Sequence, residues 1–106
     1  MIARHWSGTA TGEGADWYET HFVSEVLPGL RMMPGFRGGY LLRNDNTEAT
    51  EIRVLTLWDS VEAIEGFAGP DATAAIVAPE ARAALLSFDP VTTHYDVVVA
   101  DSVVPS

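Results

Sequence analysis

The sequence of 106 residues contains neither cysteine nor lysine. Without cysteine, the chain cannot form disulfides, thiolate nucleophiles, iron–sulfur clusters or thiolate zinc sites. All six basic residues are arginines, which excludes a lysine Schiff base and the phosphate-binding loop that depends on a lysine. These two absences remove several common classes of catalytic and cofactor site.

The chain also has few positive charges and no long apolar run. Its formal net charge of −9 argues against binding to nucleic acids or anionic membranes, whose phosphates would be repelled. No apolar stretch approaches the roughly 18 residues of a membrane span, and the N-terminus lacks the layout of a signal peptide. We therefore expect a cytoplasmic protein whose ligand is a neutral or weakly polar small molecule.

The hydrophobic pattern predicts one domain over residues 1–100 and a C-terminal tail over residues 101–106. Strands are predicted at residues 2–8, 36–43, 51–58 and 91–99. A first helix follows a glycine-rich loop, with Asp16 in its cap or first turn, and Pro28-Gly29 should kink it or end its regular part. A second begins at Ser60, and Pro79 suits the first position of another short helix. The order βαββαβ predicts a ferredoxin-like α+β fold with a four-stranded antiparallel sheet.

The third predicted strand alternates in a way that assigns its two faces. Ile52, Val54, Thr56 and Trp58 share one side, while Leu55 and Leu57 share the other. If the first side packs on the helices, the open side of the sheet still carries leucines. A second copy of the chain is the simplest cover, so we predict a homodimer whose sheets meet face to face.

Three segments carry a resemblance to a known family. Pro34-Gly35-Phe36 enters the second strand, Leu57-Trp58-Asp59-Ser60 leaves the third, and His94-Tyr95-Asp96 lies on the last. This layout resembles the antibiotic biosynthesis monooxygenase family, from Ile2 to about Val99. The resemblance implies a dimeric α/β barrel. Some members oxidise aromatic polyketides with molecular oxygen and no metal or flavin, and others bind and degrade haem.

We compared the functional residues of the family with this sequence one by one, and only one of them is present here. Trp58 matches the tryptophan that lines the pocket in both characterised branches. The haem ligand ten residues later is replaced by Ala68, and the first-strand asparagine of haem degraders is absent from Arg4-His5-Trp6. The tyrosine that follows the tryptophan by six residues in the polyketide branch is Ile64 here. The resemblance therefore favours neither a haem ligand nor another cofactor.

We select Trp58, His94 and His5 as candidate catalytic residues, and Tyr40, Trp6 and Phe36 as candidate substrate-binding residues. Trp58 could form a wall of the pocket or belong to the hydrophobic core. The same two positions are open for the other aromatic candidates. His5 and His94 lie on strands that are neighbours in this fold, so they could face one side and serve as a general base or lie at the surface. His21 is expected to be exposed near Trp17. No pair of histidines has the spacing of a metal motif, and we predict no metal site.

Two further features have structural interpretations. Arg37 and Arg53 could bind an anionic oxygen, but in this acidic chain each is better explained as the partner of a carboxylate. Gly38-Gly39 is not a phosphate loop, since no strand-to-helix turn follows it, and it predicts a β-bulge or a close backbone approach.

These observations support a cofactor-independent monooxygenase that acts on a small hydrophobic, polyketide-like aromatic substrate. A non-catalytic dimeric module that binds a small molecule or supports an assembly is an alternative, as is an isomerase or cyclase on the same scaffold. The space between helices and sheet separates the enzyme from the non-catalytic module, because a cleft filled by Trp58, Ile64, Phe67 and Leu85 would admit no substrate. Oxygen uptake separates the monooxygenase from the isomerase or cyclase.

Overall fold

A computed structural model describes residues 1–45 and 48–101 and confirms the α+β fold class. The strands are β1 (Ile2–Ala10), β2 (Phe36–Asp45), β3 (Thr50–Trp58), β4 (Ser87–Phe88) and β5 (Thr93–Asp96). The helices are α1 (Gly12–His21), α2 (Leu27–Arg31), α3 (Val61–Ala68) and α4 (Pro79–Ala84), with a π-helical turn, Phe22–Val26, between α1 and α2. Apart from Asp101, the predicted tail lies outside the described residues.

The sheet is antiparallel, and within the described chain it has five strands where four were predicted. Its order is β2-β3-β1-β4, and β5 also pairs with β1. Strand β4 pairs with Gly8 and Thr9, whereas β5 pairs with the opposite end of β1, from Ile2 to His5. Two short strands thus share the position expected for one strand over residues 91–99. Pro90, which has no N–H to donate, lies between them.

The glycine pair near the start of β2 forms the predicted bulge. The register of β2 against β3 shifts between Phe36 and Gly38. Gly38 has a φ of 148°, a value that favours glycine. After the bulge, Tyr40 pairs with Leu55 on the open face of the sheet, whereas Phe36 pairs with Trp58 on the helix-facing side.

Side-chain caps define the start of two helices. Thr11, not the predicted Asp16, caps α1, and its Oγ1 accepts a hydrogen bond from the Gly14 N–H at 3.0 Å. Asp16 instead lies within the helix. The Oγ of Ser60 accepts from the Ala63 N–H at 3.2 Å, which confirms the predicted start of α3. Pro79 lies in the first turn of α4, as expected.

The regular part of the first helix ends at His21, before Pro28-Gly29, and a π-helical turn follows it. Proline cannot donate to the preceding turn of a helix, so a regular α-helical ladder cannot continue through Pro28. Here the helical run widens over Phe22–Val26 and then resumes as α2, with Pro28 in its first turn. The wider turn places Ser24, Glu25 and Val26 along a cavity described below.

The core lies between the helices and one face of the sheet. One cluster contains Trp6, Tyr18, Phe22 and Ile52, and a second contains Leu30, Trp58 and Ile64. The alternation predicted for β3 is confirmed, since Ile52, Thr56 and Trp58 are buried while Leu55 and Leu57 lie on the open face. Within the described residues, no helix combines the length and apolar character needed to cross a bilayer.

Candidate functional site

A cavity of about 850 Å³ opens between the α1–α2 run and the segment from residue 76 to α4. We call it the cleft. Its wall is mainly apolar, with several hydroxyl and carboxylate groups. The lining residues include Trp17, Tyr18, His21, Ser24, Glu25, Val26, Leu30, Met33, Phe67, Ile76, Val77, Glu80 and Ala81. Its volume falls within the range of about 300–1,000 Å³ typical of small-molecule sites, so the space is not filled by core side chains.

A stacked aromatic pair lines the cleft on α1. The rings of Trp17 and His21 lie 4.9 Å apart with an interplanar angle of 14°. Trp17 is 40% exposed, and His21 is half-buried although the sequence suggested exposure. Residues four apart share one face of a helix, so the spacing of these two rings was the signal for this wall. A flat, partly exposed ring pair is suited to stacking against a planar ligand.

Two carboxylates line the outer part of the cleft. Glu25 on the π-helical turn and Glu80 on α4 are both exposed lining residues. Within the described part of the chain, none of the arginines lines this cavity. The entrance therefore carries negative charge in a protein that is already acidic, and it favours neutral or cationic ligands over anions.

A second cavity, of about 50 Å³, lies at the inner end of the cleft. Arg4, Trp6, Val54 and Thr56 line it from the sheet. The residues that line both spaces are Tyr18, Val26, Leu30, Phe67 and Ile76. Burial raises the pKa of Tyr18 to about 12, so its hydroxyl stays protonated at neutral pH. We call this space the inner cavity.

Trp58 belongs to the core beneath these cavities and lines neither of them. Its side chain is 0% exposed, and its Nε1 donates to Thr56 Oγ1 at 2.9 Å. Phe36 meets it edge-on at 5.3 Å, and Phe67 stacks on it at 5.8 Å. Phe67 in turn lines the cleft, so Trp58 supports the wall from behind. Its catalytic role stays a prediction.

The two candidate histidines lie on opposite faces of the sheet, so they cannot act as the pair considered above. His5 is on the open face, where its Nε2 lies 3.1 Å from an Arg53 nitrogen. His94 pairs with Arg4 in register and faces the helices. Partial burial, followed by the Arg4 charge, lowers the pKa of His94, and a hydrogen bond with the Ala72 backbone opposes this. His94 is therefore mainly neutral at pH 7.

The predicted substrate-binding aromatics are also separated. Trp6 lines the inner cavity, stacks on Tyr18 at 5.7 Å and donates from Nε1 to the Asp89 carbonyl at 2.9 Å. Phe36 packs on Trp58 and lines neither cavity. Tyr40 is 52% exposed on the open face of the sheet, away from the helix-facing side that holds the cleft.

The remaining arginine candidates pair with carboxylates, as expected. Arg37 contacts both oxygens of Asp59, with Nη2 at 3.0 Å from Oδ2, and this ion pair is exposed. Arg53 binds Glu51 from the same strand face. Across residues 1–45 and 48–101, no group of three metal-ligating side chains is close enough to hold a metal ion.

The family model for antibiotic biosynthesis monooxygenases matches residues 1–79, about three quarters of the sequence. The chain belongs to this family. The match covers the motifs at Pro34-Gly35-Phe36 and Leu57-Trp58-Asp59-Ser60 and the whole α1–α2 wall of the cleft, and it stops before Glu80 and Ala81. None of the curated proteins matches the chain.

Several solved structures share the fold, and three of them illustrate its range. The haem degrader MhuD from Mycobacterium tuberculosis, with two haems bound in its active site, gives a TM-score of 0.67 at 20% identity, over 96% of this chain and 100% of that one. A proposed family monooxygenase from Bacillus cereus gives 0.65 at 16% identity, over 96% and 97%. One from Deinococcus radiodurans gives 0.60 at 15% identity, over 99% and 100%. At these identities the similarity concerns the fold alone.

Proposed function

We propose that this protein is a monooxygenase that oxidises a small, neutral, polyketide-like aromatic molecule bound in the cleft. The observation that carries the proposal is the mainly apolar cavity of about 850 Å³ with the Trp17–His21 ring pair on its wall. Membership of the monooxygenase family supplies the reaction class. A planar substrate would stack on the ring pair and reach inward along Phe67 and Ile76.

The proposed reaction needs no cofactor, because the substrate supplies the electrons. An aromatic ketone with an acidic CH₂ group loses a proton to form an enolate, which reacts with molecular oxygen. One oxygen atom becomes the new carbonyl and the other leaves as water, so oxidation of CH₂ to C=O provides all four electrons. His94 remains the candidate base, because it is mainly neutral and lies beside Arg4 on the helix-facing side of the sheet, although it lines neither the cleft nor the inner cavity.

The charges of the cleft disfavour haem, the ligand bound by MhuD. Haem carries two propionates, whereas the charged lining residues among those described are Glu25 and Glu80. An anionic porphyrin would place carboxylates near carboxylates, with no guanidinium in the cavity wall to neutralise them. Among the described residues, His21 is the only histidine that lines the cleft, and its ring is stacked on Trp17.

The function is tested by oxygen uptake with a panel of anthrones and hydroquinones. We expect turnover with neutral members of the panel and a gain of one oxygen atom in the product by mass spectrometry. Trp17→Ala should weaken substrate binding about tenfold, because one stacking surface is lost.

The matched control is Val23→Ala, an exposed position on the same helical run that does not line the cleft. It should bind substrate as the unmodified protein does. Binding without oxygen uptake would instead indicate the non-catalytic module, and an isomerised product without oxygen uptake would indicate the isomerase.

We also propose that the protein is a homodimer through the open face of the sheet. Leu55 lies between His5 and Tyr40 in register, and Leu57, Leu42 and Tyr95 extend the apolar surface. A stable monomer would leave this surface in water. The symmetric partner of such a face is a second copy of the same face.

Leu55→Asp is expected to convert the dimer into a monomer, because two carboxylates would meet near the centre of the interface. Light scattering coupled to size-exclusion chromatography measures the mass. Met32→Asp, at an 84% exposed position after α2, introduces the same charge elsewhere and should leave the dimer intact. A monomeric unmodified protein would overturn this part of the proposal.

A further inference from the structure

Arg4 is a buried cation without a carboxylate partner among the described residues. Its side chain extends from β1 toward the helices, and the residue is only 8% exposed. One terminal nitrogen, Nη2, donates to the Ala74 carbonyl at 2.6 Å, and the guanidinium lies 5.5 Å from the centre of the Phe67 ring. The Nε–H is buried and has no hydrogen-bond partner in residues 1–45 and 48–101.

This arrangement is costly for the folded protein and calls for an explanation. Removing a guanidinium from water is unfavourable unless a counter-charge and hydrogen bonds replace the lost hydration. A carbonyl and an aromatic face replace only part of it. Burial lowers the pKa of Arg4, yet an arginine keeps its charge in proteins. A structural arginine in an acidic chain would be expected to pair with a carboxylate, as Arg37, Arg43 and Arg53 do.

The position of Arg4 connects it with the cleft. It lines the inner cavity together with Trp6 and Thr56, and that cavity shares Tyr18 and Phe67 with the cleft. A space of about 50 Å³ exceeds the roughly 10–15 Å³ that one water needs. The inner cavity therefore has room for an oxygen substituent at the inner end of a ring that stacks in the cleft.

We propose that Arg4 is a catalytic residue that holds the anionic oxygen of the substrate, a phenolate or enolate, at the inner end of the cleft. This inference rests on the function proposed above and specifies its substrate as one with an ionisable oxygen on its leading edge. Because Arg4 lines the inner cavity, its guanidinium donates to that oxygen, and its charge stabilises the anion in a place that water reaches poorly. The proton leaves to a separate base, since Arg4 cannot accept one.

The charges along the cleft fit this role. Glu25 and Glu80 at the entrance, with the net charge of the chain, disfavour entry of a preformed anion. A neutral phenol or ketone enters and becomes anionic only beside Arg4. The other titratable groups near Arg4 are Tyr18, which lines the inner cavity and stays protonated, and His94, which lies outside the lining residues and is mainly neutral. Neither provides a negative charge that would cancel that of Arg4.

The test uses 2-naphthol, whose phenolate has its own absorption band. We expect the pKa of bound naphthol to fall by about one to three pH units below its value in water, as for an acid beside a cation. In Arg4→Met this decrease should disappear, and in Arg4→Lys, which restores a charge without the fork of donors, it should return in part. Arg37→Met removes an exposed charge of the same sign and should keep the full decrease.

A purely structural Arg4 would change thermal stability without changing the pKa of the ligand, so both are measured on each variant. Two results would overturn the role of Arg4 and leave the cleft function standing. In the first, naphthol binds to the unmodified protein with its ordinary pKa. In the second, its pKa is lowered equally in the unmodified protein, Arg4→Lys and Arg4→Met. Failure of naphthol and of the anthrone panel to bind overturns the proposed cleft function, and the role of Arg4 with it.

Discussion

Replacing Trp58 by alanine is expected to lower the free energy of unfolding by about 3–5 kcal/mol, the typical cost of truncating a large buried aromatic residue. The indole is fully buried, its Nε1–H is satisfied by Thr56, and the rings of Phe36 and Phe67 pack on it. Truncation opens a cavity and leaves the Phe67 wall unsupported. Urea denaturation followed by circular dichroism gives the change.

The natural comparison is Trp17→Ala, which removes the same side chain from a position that is 40% exposed. It should cost no more than about 1 kcal/mol of stability and should act mainly on ligand binding. A Trp58→Ala protein as stable as the original would show that the indole is not a core element. Because Trp58→Ala destabilises the fold, its loss of activity would not by itself identify a catalytic tryptophan, whereas Trp58→Phe retains most of the packing.

Replacing Gly35 by alanine is expected to cost about 2–4 kcal/mol, because two penalties combine. Gly35 has a φ of 86°, in the left-handed region that other residues avoid. A Cβ added there would lie 2.5 Å from the Cβ of Ala63 on α3. The Gly35 carbonyl also accepts from the Asp59 N–H at 2.9 Å, which links the start of β2 to the end of β3. Thermal and urea unfolding measure the loss.

The double variant Gly35→Ala/Ala63→Gly separates the two penalties. Its loss in the free energy of unfolding should be smaller than the sum of the losses of the two single variants. The steric contact is relieved in the double variant, while the backbone strain at position 35 remains. Gly29→Ala, in a helix with open space around it, should be neutral or slightly stabilising. Equal losses at Gly29 and Gly35 would contradict the assigned contact.

The parts of the fold that the sequence predicted are those determined by local chemistry. Alternation along β3 identified its buried face, the Ser60 hydroxyl marked the start of α3, and Gly38-Gly39 marked the bulge. Each depends on a period or a backbone requirement visible within a few residues. The family motif at Pro34-Gly35-Phe36 follows the same logic, because Gly35 is the residue that the turn and the close contact with Ala63 require.

The candidate site depends on long-range register, and there the prediction was less complete. His5 and His94 were placed on neighbouring strands correctly, but a shift of one residue in pairing exchanges the two faces of a strand. The sequence does not specify that register for a strand as short as β5. Arg4 was not selected at all, since nothing local shows that a charged residue on β1 turns inward and lacks a carboxylate. The cleft itself forms between elements about 50 residues apart.

The π-helical turn allows the α1–α2 wall of the cleft to be altered by mutation without altering the sheet. A helix turns about 100° per residue, so deleting one residue within Phe22–Val26 would rotate Trp17 and His21 relative to α2. The strands, the bulge and Arg4 lie outside this turn and would keep their positions. A single-codon insertion or deletion could thus give a descendant a different substrate range in one evolutionary step, while leaving the inherited sheet intact.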